Sequence, residues 1–395
     1  MKIRKPLLNI NKMQIWLVAT CIMLSVSFNV DWKANGLIWW GSIFLFLTTY
    51  IFYKNFKLNL STTFSDIWMM IFLFLSILSV TYSTSMSTTF SSVKTLIIMF
   101  LICFIIGKEI EYKEDLKKFL WLIFIALLIV VIYVYINVDL NSLILTRIGE
   151  ANTGRWNAND IGIMTSVGIL IGIALFSNVK KTSKVVIIIA IFLFIYLDII
   201  AASRKAFLML IIGICGMRIL NNPTKVIRNI LFVFIIVLLI LYLVFKIPFL
   251  YDLIGWRVAG IMAFLNGENS IADSSSIYRA KMLYSAINTF ISNPLLGVGL
   301  DNFRYYNPVR VTYAHNNFVE IAADLGIIGF IGYYWIYVYI LFNYIKNFKN
   351  KDTMKTFLFV IIMSYLLNHF AMITILDILQ SLFICLYATY AKLDE

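Results

Sequence analysis

Apolar runs of roughly one membrane thickness, set apart by short charged or polar segments, recur along the whole chain and constrain its fold more than any motif. They fall near 13–30, 37–53, 67–82, 95–107, 119–136, 160–178, 185–201, 206–220, 230–247, 326–345, 356–372 and 377–391. An α-helix of about 20 apolar residues crosses the hydrocarbon core, and it satisfies its own backbone polar groups there, where no water can. The composition agrees: 61% of the 395 residues are hydrophobic and 13% are charged, far from the balance of a soluble domain. The expected fold is an all-α polytopic membrane protein of about twelve transmembrane helices. It reads as a single membrane domain over 1–395, with a long, partly helical outer loop before the tenth helix. The basic stretch 1–12 followed by the run from 13 reads as a retained first helix, because no small-residue cleavage site follows.

Charge placement orients the bundle. With both termini on the cytoplasmic side, 21 of the 33 Lys and Arg fall in the short segments 1–12, 54–66, 108–118, 179–184, 218–229, 346–355 and the C-terminus. The net charge of +13 then needs no nucleic-acid partner. The arginines run the other way: seven of ten, Arg147, Arg155, Arg204, Arg257, Arg279, Arg304 and Arg310, lie on the outer side. Lysine suffices to orient a helix, whereas the planar guanidinium fork suits phosphate and carboxylate oxygens. An arginine-rich outer face therefore points to an anionic ligand there.

Two outer segments are long: 137–159, and 248–325, the longest non-spanning stretch. Long ordered loops are usually functional. Within the second, the spacing predicts an amphipathic helix over 277–291, with Ile277, Ala280, Tyr284, Ile287 and Ile291 on one face, lying at the membrane surface or against the bundle. A turn at Asn293, Pro294, Gly297 and Gly299 follows, then a short helix from His315 to Leu325, with Gly326 opening the next span. Cys21, Cys103, Cys215 and Cys385 all sit in apolar runs and read as small buried hydrophobes. With two histidines in the chain, a metal site is not expected, nor is any cofactor.

The stretches "NPLLGVGLDNF" (293–303) and "AHNNFVEIAADLGIIGF" (314–330) resemble the signature of the O-antigen ligase and polymerase superfamily. "SRKAFL" (203–208), "RIGEANTGRWNANDIG" (147–162) and "SSIYRAKMLYSAINTFISNP" (275–294) are similar to further segments of that family, in its order and on one side of the membrane. One departure is Asn157-Ala158-Asn159, where the family usually has Pro-Asn. The resemblance implies a GT-C-like, metal-independent glycosyltransferase at the outer face of the bacterial cytoplasmic membrane. Its donor would be an oligosaccharide on undecaprenyl diphosphate, and its acceptor a lipid-linked repeat unit or another lipid anchor. A chain-length regulator and a flippase would be partners. The spelling of 313–329 is most like capsule and exopolysaccharide repeat-unit polymerases; a ligase acting on lipid A-core is the alternative.

The residues suit that chemistry. A departing diphosphate needs cationic stabilisation, for which Arg204 and Arg279 come first, then Arg147 and Arg155. His315, the histidine of the outer loops, is the candidate base for the acceptor hydroxyl; a place at a helix start would keep its imidazole neutral. Glu320 and Asp324 could orient it or bind sugar hydroxyls, Asn316 and Asn317 could cap the helix or bind sugar, and Tyr313 could stack on a sugar face. Each has a structural alternative: His315 as a cap, Arg204 as a snorkelling anchor, His369 as a helix-packing hydrogen bonder. A lipid-linked sugar transporter is the rival class. The centres of the spans carry almost no ionisable residues, which disfavours ion-coupled transport.

Overall fold

The computed structural model describes residues 15–20, 47–48, 50–51, 54, 62–137, 158–177, 179–247, 251, 274–309, 311–350 and 352–393. Most of the first two apolar runs and of the 137–159 segment, together with Arg147, Arg155, Arg257 and Arg310, lie outside the described residues. The regular structure described is helical: α1 Phe64–Leu78, α2 Met86–Glu109, α3 Lys113–Asn137, α4 Ala158–Phe176, α5 Lys181–Ala201, α6 Arg204–Asn221, α7 Val226–Lys246, α8 Ser274–Ser292, α9 Asn317–Lys346, α10 Thr353–Asn368 and α11 Ile378–Lys392. Each of the ten apolar runs from 67–82 onward falls on one of these helices.

Among the described residues, six helices (α1 to α5 and α9) are long and apolar enough to cross a membrane. A seventh span arises if α6 and the segment after it, bent by 107°, are taken as one. This is fewer than the sequence suggests, partly for a physical reason. Helices α10 and α11 are only 16 and 15 residues long. They are buried for nearly their whole length, so neighbouring helices rather than lipid surround them and their length need not match the bilayer. The chain is an all-α polytopic membrane protein.

Close packing depends on small residues. A Cβ on Gly168 of α4 would come within 2.7 Å of the Phe194 ring of α5. One on Gly162 would lie 2.8 Å from Ala206 and 2.9 Å from Ser203, where α6 begins. Cys385 of α11 donates to the Cys103 carbonyl of α2 at 3.1 Å, so these two cysteines are packing residues.

The helix ends differ in charge balance. One end is rich in basic residues, Lys108, Lys113, Lys117, Lys180, Lys181, Lys184, Arg218, Lys225, Arg228, Lys346, Lys355 and Lys392, beside Asp66, Glu109, Glu114, Asp115 and Asp352; the other carries Asp160, Asp198, Asp301, Glu320, Asp324 and Asp377 with Arg204, Lys205, Arg279, Lys281 and Arg304. At the lysine-rich end Thr63 and Asp66 form a capping box on α1, and the Asp66 carboxylate also meets Lys108 Nζ at 2.5 Å, both side chains buried. A buried carboxylate stripped of its cation is costly. Lys108→Ala is therefore expected to lower stability by about 3 kcal/mol, with Asp66→Asn in the same chain recovering part of the loss. Thermal unfolding in detergent reads both; a single variant within about 1 kcal/mol of the parent would show that the pair is not holding this end together.

Candidate functional site

The site grows from an interlock between a turn and a helix break. α9 is interrupted at Gly326, which has φ 62° and ψ −166°. The turn after α8 enters that gap. Val298 N–H donates to the Ala323 carbonyl at 3.0 Å and Gly299 N–H to the Asp324 carbonyl at 2.8 Å, while Ile327 N–H donates to the Pro294 carbonyl at 2.8 Å. The two backbones lie so close that a Cβ at Gly297 would overlap the Asp324 peptide, and one at Gly326 the Leu295 carbonyl. The Asp324 carboxylate, offered by the sequence as a sugar or histidine ligand, is 1% exposed and turned inward. It accepts the backbone N–H groups of Asp301 (2.7 Å), Asn302 (3.1 Å) and Phe303 (2.8 Å). Asn302 then ties this loop to α2, its side chain accepting from Ser85 N–H at 2.7 Å and donating to Thr89 Oγ1 at 2.5 Å. Arg304 pairs with Asp301, which fixes it locally.

Of the two placements its apolar spacing allows, helix α8 turns its apolar stripe away from the bundle and packs by another face. Met282, Ala286 and Thr289 are buried, and Ala286 meets Phe303, Ala314 and Ala323 in a small cluster. Tyr284 is 68% and Ile291 65% exposed. Small side chains let the helix approach the bundle closely. Its apolar stripe therefore points outward, running on through exposed Leu295 to Ile328 and Ile331 of α9. Beside it, a groove of about 880 Å³ runs between Tyr278, Lys281 and Tyr284 on one side and Pro308 and Val309 on the other.

The chain then leads to His315 in an unusual conformation. His315 has φ 58°, the left-handed region that few non-glycine residues enter. The helix cap is Asn316, whose side chain accepts from Phe318 N–H at 3.0 Å and Val319 N–H at 3.3 Å. The sequence places the helix start at His315; the structure moves it two residues on, so His315 stands before the cap rather than in it. Its ring lies 4.4 Å from that of Tyr313. On the near side of His315, Ala314 N–H donates to Glu320 at 2.6 Å. On the far side, Asn317 N–H donates to the His369 carbonyl at 2.8 Å.

Three further elements converge here. Tyr313 lies within electrostatic reach of Asp160 at the start of α4, Arg279 on α8, Glu320 and Arg304. Burial, reinforced by the Asp160 carboxylate, holds its hydroxyl above the usual range. Arg279 falls one turn before Met282, on the face of α8 that meets the bundle. Arg204 is the first residue of α6, behind a left-handed Ala202 (φ 47°) and the Ser203 cap, and is half-buried. Ser203 donates to Asn159 at 3.0 Å, which joins the α5–α6 turn to α4. So Arg204, Arg279, Tyr313 and His315 gather at one end of the bundle. Asn317 and Glu320 lie beneath them, 0% and 2% exposed, with polar atoms engaged inside the protein.

Sequence reasoning missed two partners, Asn159 and Asn302. Asn159 lies inside the quoted motif, but its partner Ser203 is 44 residues away and no spacing links them. His369 is a packing residue, 0% exposed, bonded to Tyr334, Thr374 and Gln380. Among the described residues, no group of three His, Cys, Asp or Glu has a metal-holding arrangement.

Residues 187–334 match the family described as O-antigen ligase. The match begins within α5 and ends in α9, so it takes in Arg204, Arg279, the interlocked turn and His315. No curated protein matches the chain.

Proposed function

From a chain that carries an O-antigen ligase domain over residues 187–334, we propose a repeat-unit polymerase. It would join undecaprenyl-diphosphate-linked oligosaccharides into surface polysaccharide, on the outer face of the bacterial cytoplasmic membrane. The observation that carries this reading is the convergence of Arg279, Tyr313 and His315 at the helix ends opposite the lysine-rich face. The lysine-rich end is assigned to the cytoplasm because basic residues are retained there, which leaves the site outside.

No nucleotide is available outside, so the driving force comes with the donor. His315 takes the proton of the acceptor hydroxyl, the freed oxygen bonds to the anomeric carbon, and the carbon–oxygen bond to the diphosphate breaks. The departing diphosphate gathers negative charge, which the guanidinium groups of Arg204 and Arg279 stabilise, with Arg147 and Arg155 in support. Asn316 caps the helix that carries the site, and the Tyr313 ring is a surface for a sugar face. The isoprenoid tail lies along the outward apolar stripe of α8 and α9. A flippase supplies the donor, and a chain-length regulator governs the product.

Arg204→Ala is expected to lower transfer about 10²–10³-fold, the range for losing one group that stabilises transition-state charge. The variant should still reach the membrane in normal amount. The assay is radiolabelled glycan transfer by purified protein, and near-parent activity would remove Arg204 from the mechanism. Polymerase and ligase need the same donor chemistry, so the deciding experiment is deletion of the gene with the surface glycan run on a gel. Single-repeat chains support the polymerase; long chains left on the lipid carrier would make the protein a ligase. Flux of donor across vesicles without any transfer would replace both readings with transport.

A further inference from the structure

We infer that Glu320, Asn317 and His369 are positioning residues that hold His315 in its left-handed conformation and so aim its ring; the inference rests on the base role proposed for His315. A residue at φ 58° relaxes toward ordinary backbone unless its neighbours are fixed. Both neighbours are. Glu320 grips the N–H of residue 314 at 2.6 Å, from one turn inside α9. The N–H of residue 317 is held at 2.8 Å by the carbonyl of His369, at the far end of α10.

The second anchor continues into the bundle. Asn317 Oδ1 accepts from Thr374 N–H at 2.9 Å, and its Nδ2 donates to the Tyr334 hydroxyl at 3.0 Å. That hydroxyl also meets His369 Nδ1 at 3.2 Å. His369 Nε2 lies 3.1 Å from Gln380 Oε1 and 2.7 Å from Thr374 Oγ1. The Gln380 amide donates to the hydroxyls of Tyr333 (3.0 Å) and Tyr337. Asn317, His369, Thr374 and Gln380 are each at most 1% exposed. A buried, densely hydrogen-bonded network is rigid. This one joins α9, the loop after α10 and α11 directly to the residue two places after His315. None of its side chains opens to the outside, so its effect on transfer passes through His315.

The test uses purified full-length protein in lipid vesicles with an undecaprenyl-diphosphate-linked oligosaccharide as donor. Glu320→Ala and Asn317→Ala are expected to lower kcat about 100-fold, the effect of misplacing a reacting group by about an ångström. KM for the donor should stay within about 2-fold, because donor contacts are untouched. Glu320→Gln should recover to within about 5-fold of the parent, since an amide oxygen can still accept the Ala314 N–H. A Gln variant as slow as the Ala variant would show that the carboxylate charge takes part in the chemistry and would overturn the inference. So would a raised KM at constant kcat, or parent activity in both Ala variants. If Asn317→Ala fails to accumulate, the Ala and Gln pair at position 320 decides alone. Activity surviving in His315→Asn would instead refute the base role, a separate failure.

Discussion

Replacing His315 is expected to abolish glycan transfer while leaving the protein folded and able to bind its donor. A positioned base contributes roughly 10²–10⁴-fold, so His315→Ala should fall by about 10³-fold in kcat. Alanine also removes a ring from a strained backbone position, and a loss of rate alone could reflect a relaxed loop. His315→Asn separates the two effects. Asparagine enters the left-handed region more readily than most residues, so the 58° conformation persists without an imidazole. Both variants should therefore be equally slow, with donor KM unchanged. The ring contact to Tyr313 at 4.4 Å and the Asn316 cap should contribute little to that loss, because neither can accept the proton. Transfer by His315→Asn at more than about a tenth of the parent rate would remove histidine from the proton path.

The largest loss of stability is expected at Gly326. Its φ 62° and ψ −166° fall in a region essentially reserved for glycine, and a side chain there would drive into the Leu295 carbonyl. The neighbour is main chain and cannot swing aside. Gly326→Ala should cost at least about 4 kcal/mol, combining backbone strain with displacement of the 294–299 turn. Displacing that turn would also withdraw the Asp324 carboxylate from the three N–H groups it holds, so stability and transfer should fall together. Gly332→Ala, six residues on, is the control. Its Cβ would meet the Leu75 side-chain tip at 2.7 Å, which can rotate, and Ile71 at an ordinary 3.7 Å, and about 1 kcal/mol is expected. Thermal unfolding in detergent compares the two; equal midpoints would mean that the interlock does not stabilise the fold.

Arg204 and Gly326 show how differently sequence and structure inform on one site. The "SRKAFL" segment marks Arg204 by its resemblance to a family motif, and the structure adds the local reason for its place, Ser203 accepting from Ala206 N–H at 3.4 Å as the helix cap. Gly326 reads in sequence as the opening of a span. Its actual role is to admit a second backbone, which depends on a segment some thirty residues earlier in the chain.

The sequence by itself determined the class of fold and the sidedness of charge, which follow from hydropathy and from basic-residue placement, both of them local. The candidate site residues are singled out by the resemblance of short motifs to a known family. Only the tertiary structure decided which side chains of those motifs are engaged inside the protein. Periodicity gave α8 a stripe of Ile277, Tyr284 and Ile291 but could not say what covers it, since in a membrane protein an apolar face can meet lipid as well as protein. The sequence likewise leaves Asn317 open as a helix cap or a sugar ligand, and Glu320 and Asp324 as partners of His315 or sugar ligands. Their partners are buried inside the protein, and that of Asn317, Thr374, lies 57 residues away. Hydrogen bonds across such separations leave no trace in spacing, because they form only once α9, α10 and α11 have packed around them.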